Sequence, residues 1–255
     1  MTRDNTSKDF RTWSEPEYID MGSAPLEHLY KNSAVAYYRR PDLILMFPKR
    51  FVPDRTVHPN YPKPYYPDFQ KKWILHGLSD VVFMFSRDGF HFDRRYMEAF
   101  LRPGPEPRNW APRAIQIGPT LVPTGDGEMS VYYMEHYYLP EVQIRRGVLR
   151  VDGFVSLHAD YRGGTVVTKP LRFSGSTLQL NYATSAVGRL RVEIQDAAGR
   201  AIPGYQMEAC AEIFGDEIQR AVKWKAGADL SAWAGRTVRL KFEIKDGDLY
   251  SFRFD

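Results

Sequence analysis

The sequence predicts an all-β chain in two parts, an aromatic, loop-rich region over 1–159 and a region of cleaner alternation over 160–255. Three observations lead there. Apolar residues alternate with polar ones over many short runs, the pattern of strands with one buried face. No long segment carries the 3.6-residue period of an amphipathic helix; only 209–219 has room for a short helical turn. Proline, which strand interiors exclude, is also unevenly spread. Sixteen of the 18 prolines precede residue 151, with 12 of 16 tyrosines and five of six histidines, so the character of the chain changes near Asp152.

In the first region the strand-like runs fall into two groups of four. Ser33 to Tyr38, Leu43 to Phe51, Asp80 to Phe85 and Phe90 to Ala99 form the first, and Ala114 to Val122, Met129 to Tyr138, Gln143 to Val151 and Phe154 to Ala159 the second. A Pro- and Tyr-rich insertion from Pro53 to Trp73 splits the first group. It is longer than ordinary connections, which marks either a functional or a mobile loop. Turn sequences repeat around these groups. Ser7-Lys8-Asp9-Phe10-Arg11-Thr12-Trp13 and Ser86-Arg87-Asp88-Gly89-Phe90-His91-Phe92 share Ser-x-Asp-x-x-x-aromatic, with a weaker copy at Asp152-Gly153-Phe154. An Asp in such a turn accepts backbone N–H groups while the aromatic packs beneath, and the spacing lies near that of propeller blades. Plain hairpins in another β fold give the same signal. Asp9, Asp88 and Asp152 are therefore read as structural.

The second region reads as a β-sandwich. Leu178, Leu180 and Tyr182 alternate, as do Leu190, Val192 and Ile194, then Val238, Leu240, Phe242 and Ile244. Gly163-Gly164, Ala198-Gly199 and Asp246-Gly247-Asp248 supply the turns between them.

Composition narrows the function. The net charge of +4 is scattered in pairs such as Arg39-Arg40 and Arg145-Arg146, which argues against nucleic-acid binding. One cysteine, Cys210, rules out an intramolecular disulfide and a cysteine metal cluster. The histidines lack ligand spacing, so neither a metal nor a cofactor is expected. Met1 to Phe10 is polar, unlike a signal peptide, and no run approaches the roughly 20 apolar residues of a membrane helix. As written, the chain is expected to be soluble and cytoplasmic, with export left open for a longer form.

Thr6–Pro16 (TSKDFRTWSEP), Ala24–Asn32 (APLEHLYKN), Phe47–Phe51 (FPKRF), Ser86–Arg94 (SRDGFHFDR), Arg108–Trp110 and above all Leu149–Gly175 form a recurring set. Together they resemble bacterial proteins with a five-bladed β-propeller, related to glycoside hydrolase families 32 and 43, followed by a β-sandwich. The resemblance covers nearly the whole chain but only the C-terminal part of such a propeller. It implies a partial propeller of about two blades, lacking the first-blade carboxylate of the related hydrolases. The chain then reads as a glycosidase fragment, active only if the missing blades are supplied. The alternative is a non-catalytic carbohydrate-binding or assembly module, whose open blade edges would favour self-association.

Glycoside hydrolysis needs two carboxyl groups, one of them protonated as the acid. Glu27, beside His28, is the candidate general acid; a Glu and a His capping a strand end is an equally good reading. Glu135-His136 is a second such pair, placed by alternation on opposite faces of one strand, so that at most one faces a site. Arg50, Arg113 and Arg145 can fork onto sugar hydroxyls or a uronate, and Trp110 can stack on a sugar face or simply pack.

Overall fold

A computed structural model describes residues 2–56, 76–110, 114–137 and 139–255. Most of the insertion from Pro53 to Trp73, and Arg113, lie outside the described residues. The chain is all-β with antiparallel sheets. Among the described residues the only helices are single 3-10 turns at Pro107–Asn109, Met207–Ala209 and Ser231–Trp233, and none is long and apolar enough to cross a membrane. The turn expected within 209–219 falls just before it, at Met207–Ala209, and the rest of that segment is extended. Two compact units result, Met1–Val148 and Leu149–Asp255.

The first unit opens with a small ribbon of β1 (Arg3–Asp4) and β2 (Glu17–Tyr18). Eight strands follow: β3 (His28–Tyr30), β4 (Ala34–Tyr37), β5 (Arg40–Met46), β6 (Lys49–Thr56), β7 (His76–Val82), β8 (Met84–Ser86), β9 (Phe92–Asp93) and β10 (Ala99–Leu101). They form two four-stranded sheets, ordered β4-β5-β8-β9 and β3-β6-β7-β10. The shared order has a simple origin. The chain makes four antiparallel passes, and every pass breaks at one level. The first pass breaks at Lys31–Ser33, where Lys31 and Ser33 have positive φ, and the second at Phe47-Pro48, where proline has no N–H to give a ladder. The third breaks at Phe83 and the fourth at Arg94–Glu98. The four segments grouped in the sequence thus do share one meander, divided at its waist.

Packing explains why the centres of the second and third passes, Ile44–Pro48 and Val81–Phe85, read as continuous apolar runs. Met46, Val82, Met84 and Phe92 bury with Ile19 and Leu29 in one cluster. Between them in the chain, Phe47 and Phe83 form an aromatic group with Phe100, with ring centroids 5.0–5.9 Å apart. Strands covered on both faces lose their alternation.

The repeated turn is the same object twice. Asp9 Oδ1 accepts the N–H groups of Arg11 and Thr12 at 2.8 Å, and Asp88 Oδ1 those of Phe90 at 2.9 Å and His91 at 2.8 Å. Ser7 and Ser86 each donate to their Asp. Phe10 occupies the position of Gly89, both at positive φ, and Phe10 is 83% exposed. The third copy departs: Asp152 itself has positive φ, and its carboxylate accepts from Ser251 Oγ at 2.6 Å.

In the second copy Asp88 Oδ2 also meets His91 Nδ1 at 2.6 Å, with Asp20 Oδ2 4.0 Å from Nε2. Asp88, and to a lesser degree Asp20, holds the proton on His91 and raises its pKa above the ordinary histidine value. A raised pKa means that the pair steadies the turn fully below the unfolded histidine's pKa, and that this is lost as pH rises through the folded one. Followed by NMR, His91 is expected to titrate above the ordinary histidine midpoint, and Asp88→Asn to lower its midpoint. An unmoved midpoint would show that the pair does not form in solution.

A further sheet completes the first unit. β13 (Glu128–Glu135) lies at its centre, with β11 (Gln116–Ile117) and β12 (Val122–Gly125) along one side and β14 (Gln143–Arg150) along the other. The Asp126-Gly127 turn makes the β12–β13 hairpin. Three of the four expected segments are here. The last is not: β15 (Leu157–Ala159) pairs with β19 (Val238–Phe254) in the second unit, where Asp248 accepts from Ser156 Oγ at 2.6 Å. The units therefore divide at 148/149, where the sequence put the change at 159/160.

In the second unit β15 and β16 (Gly164–Val167) share one edge of β19, β17 (Leu178–Asp196) lines the other, and β18 (Asp216–Ala221) pairs with β17. The described strands make one five-stranded sheet, and the stretches before and after β18 add Ile202, Ile213, Val222, Trp224 and Leu230 to its core. The alternating residues named above are the core, and Cys210 is buried among them. The long β17–β19 ribbon slips register between Thr184 and Arg189. Gly188 is needed there: a Cβ would lie 2.3 Å from the Asp246 carbonyl oxygen, and one on Gly247 2.8 Å from that of Ala183.

Candidate functional site

The break in the first unit's meander creates the site. Leu29, Arg50 and Asp80 are level with one another on β3, β6 and β7, so Arg50 and Asp80 are direct cross-strand neighbours. Opposite charges so placed attract. Arg50 grips Asp80 with two bonds, 2.9 Å from Nε and 2.6 Å from Nη2, and turns Nη1 to Glu27 Oε1 at 3.0 Å. Asp80, aided by Glu27, holds the Arg50 proton well above the usual arginine pKa.

Arg94 closes the cluster from the fourth pass. Its side chain has no solvent exposure, and its guanidinium reaches Glu27 Oε2 at 3.2 Å. It also donates to the carbonyls of Tyr96 and Met97, which the strand break leaves without ladder partners. Each oxygen of Glu27 thus accepts from a different arginine, and its side chain is only 12% exposed. His28, the expected partner of Glu27, is exposed and makes no bond to it among the described residues.

The cluster floors an open cleft of about 980 Å³. Glu27, His28, Arg50 and Asp80 line it together with Arg55, Glu98 and Arg102. Trp110 forms part of its rim. The loop carrying Trp110 is fixed: its indole N–H donates to the Gly104 carbonyl at 2.7 Å, and Glu106 caps the 3-10 turn before it. The Arg108 guanidinium, with the Arg108 N–H, brings the Glu106 carboxyl down to about 2.

Glu135, His136 and Arg145 are not among the residues that line this cleft. Arg145 Nε bonds Glu135 at 2.9 Å, with Gln143 and Asn109 donating as well. His136 lies past the end of β13 at positive φ, buried, with Nδ1 3.3 Å from the Glu141 carbonyl. Asn109 ties the two residues together, since its Oδ1 accepts the His136 N–H.

Four of the eight expected residues, Glu27, His28, Arg50 and Trp110, therefore meet in one cleft. Sequence reasoning missed Asp80, Arg94 and Glu98. Asp80 has no signal of its own, because only strand register brings it opposite Arg50.

Neither a family model, nor a curated protein, nor a solved structure matches this chain. The geometry alone must carry the functional reading.

Proposed function

We propose that Met1–Val148 is a carbohydrate-binding module, built as consecutive blades of a partial propeller, and that Leu149–Asp255 is a β-sandwich. One observation carries the reading. The cleft sets the half-buried Trp110 ring, held by its own hydrogen bond, near a floor of polar groups already fixed by Arg50 and Arg94. A sugar offers an apolar ring face and a rim of hydroxyls, so it needs both. Preorganised partners also lower the entropy lost on binding.

Binding is preferred to hydrolysis because an acid catalyst must present a proton. Both Glu27 oxygens accept from guanidinium groups, and both Asp80 oxygens accept from Arg50. The glycosidase reading stands second, favoured by three carboxylates, Glu27, Asp80 and Glu98, on one cleft. The assembly role draws on the exposed Ile144 and Val148 of β14 and on Val142 just before it.

Calorimetric titration with a panel of oligosaccharides, beside aryl-glycoside turnover, separates these readings. We expect binding without turnover, weakened roughly tenfold by Trp110→Ala, an effect typical of losing a stacked aromatic. Turnover abolished by Glu98→Gln or Glu27→Gln would make the protein a hydrolase instead. A panel that shows neither binding nor turnover would remove the carbohydrate reading.

A further inference from the structure

The charges of the cleft are not all spent on one another. Arg50, Arg94, Glu27 and Asp80 neutralise among themselves in the floor. Above them, Arg55 near the end of β6 and Arg102 just past β10 line the same cleft. Both are exposed, and neither makes a hydrogen bond or ion pair among the described residues. The other unpaired ionisable groups on the lining are Glu98 and His28. The unpaired set therefore carries an excess of positive charge, delivered by two planar forks.

The sheet order fixes how these forks stand. β6 and β10 flank β7, so they run about 10 Å apart, twice the spacing of neighbouring strands. Along β7 the two are staggered, Arg55 falling between the Val52–Leu78 and Thr56–His76 pairs and Arg102 just past the Leu101–Val81 pair. This is a further offset of roughly 10 Å that two long arginine side chains can still bridge to reach one ligand. A guanidinium pairs with a carboxylate through two parallel bonds between opposite charges, whereas a neutral hydroxyl offers it a single acceptor without a countercharge. Arginines held ready without acidic partners suit a ligand that brings its own negative charge.

We propose that the ligand of this cleft is an acidic sugar, a uronate-bearing oligosaccharide whose carboxylate sits between Arg55 and Arg102. The proposal rests on the carbohydrate reading above and narrows it to a substrate class.

The test titrates the full chain with trigalacturonate, with the neutral trisaccharide made by reducing its carboxyls, and with triglutamate. Wild type should bind the acidic sugar at least about tenfold tighter than the neutral one, the usual return on a charge-assisted bond. The Arg55→Gln/Arg102→Gln pair should bind both sugars equally, with the preference in wild type shrinking as salt is raised. Both positions are exposed, and an unchanged thermal melt verifies that the double variant is folded. Equal binding of the two sugars by wild type, or a preference surviving in the double variant, overturns the acidic-sugar inference and leaves the carbohydrate reading in place. Triglutamate binding as tightly as trigalacturonate overturns it too, since charge alone would suffice. Binding of neither sugar overturns this inference, and the carbohydrate reading falls with it only if the wider oligosaccharide panel is silent as well.

Discussion

Glu27→Leu is expected to destabilise the Met1–Val148 unit by about 3–5 kcal/mol, the cost of stripping one partner from a buried ion pair. The cost arises at Arg94. Its side chain is fully buried, and Glu27 is its only carboxylate partner among the described residues. Arg50 suffers less, because it keeps both bonds to Asp80. Glu27→Gln should cost less, since an amide oxygen still accepts from one arginine. Adding Arg94→Met to Glu27→Leu should restore much of the loss, because replacing a whole buried pair by apolar groups is often neutral. Urea titration, with hydrogen exchange of the β3–β6 ladder as the local readout, checks the series. A Glu27→Leu protein as stable as wild type would show that Arg94 is hydrated, and that the cluster is held open for a ligand instead of bracing the fold. The experiment therefore also weighs the two readings of Glu27, acid or strap.

How much of this was legible beforehand depends on the range of the interaction. The alternating residues of β17 and β19 were visible in the sequence because burial of one strand face is a local pattern. The Ser-x-Asp turn was visible for the same reason, and its two full copies share the serine-to-aspartate bond and the two backbone N–H groups that the Asp carboxylate accepts. The weak copy at Asp152 lacked the serine two residues before it, and its geometry differs accordingly. What could not be read is whatever depends on pairing. Phe154 to Ala159 looks like any short strand, and nothing local says that β19 offers its edge. The break shared by four passes is equally silent, although Pro48 marks one of its points. Because Arg94 and Asp80 owe their roles to that break and to the register beside it, the site was only half foreseeable. Glu27 and Arg50 were picked for their chemistry, and the residues that hold them in place were not.

Arg150 poses the same kind of question in the second unit, with an effect as large. Between Leu180 and Tyr182 the β17–β18 ladder slips register, and the next pair is Tyr182 with Glu217. Bulges leave backbone groups short of partners. Arg150 supplies them: Nη2 donates to the carbonyls of both Tyr182 and Glu217 at 2.9 Å, Nε donates to Asn181 Oδ1 at 2.6 Å, and Nη1 pairs with Asp216. The guanidinium also lies 4.8 Å from the centre of the Tyr250 ring. Asn181, itself buried, passes the connection on through its amide to the Val151 carbonyl. Arg150→Met keeps the stem and removes every donor, stranding two carbonyls and a buried amide oxygen. We expect a loss of about 3–5 kcal/mol, as for other broken buried networks. Arg150→Lys should recover only part of it, because a single ammonium cannot reach acceptors arranged around a planar fork. Hydrogen exchange separates the possible mechanisms. If Arg150 pins the bulge, β18 amides lose protection in Arg150→Met while the distal half of the β17–β19 ribbon, from Arg189 onward, keeps it until global unfolding. Uniform loss across the ribbon would mean that the bulge is held by the core beneath it, and that the arginine merely decorates a fixed turn.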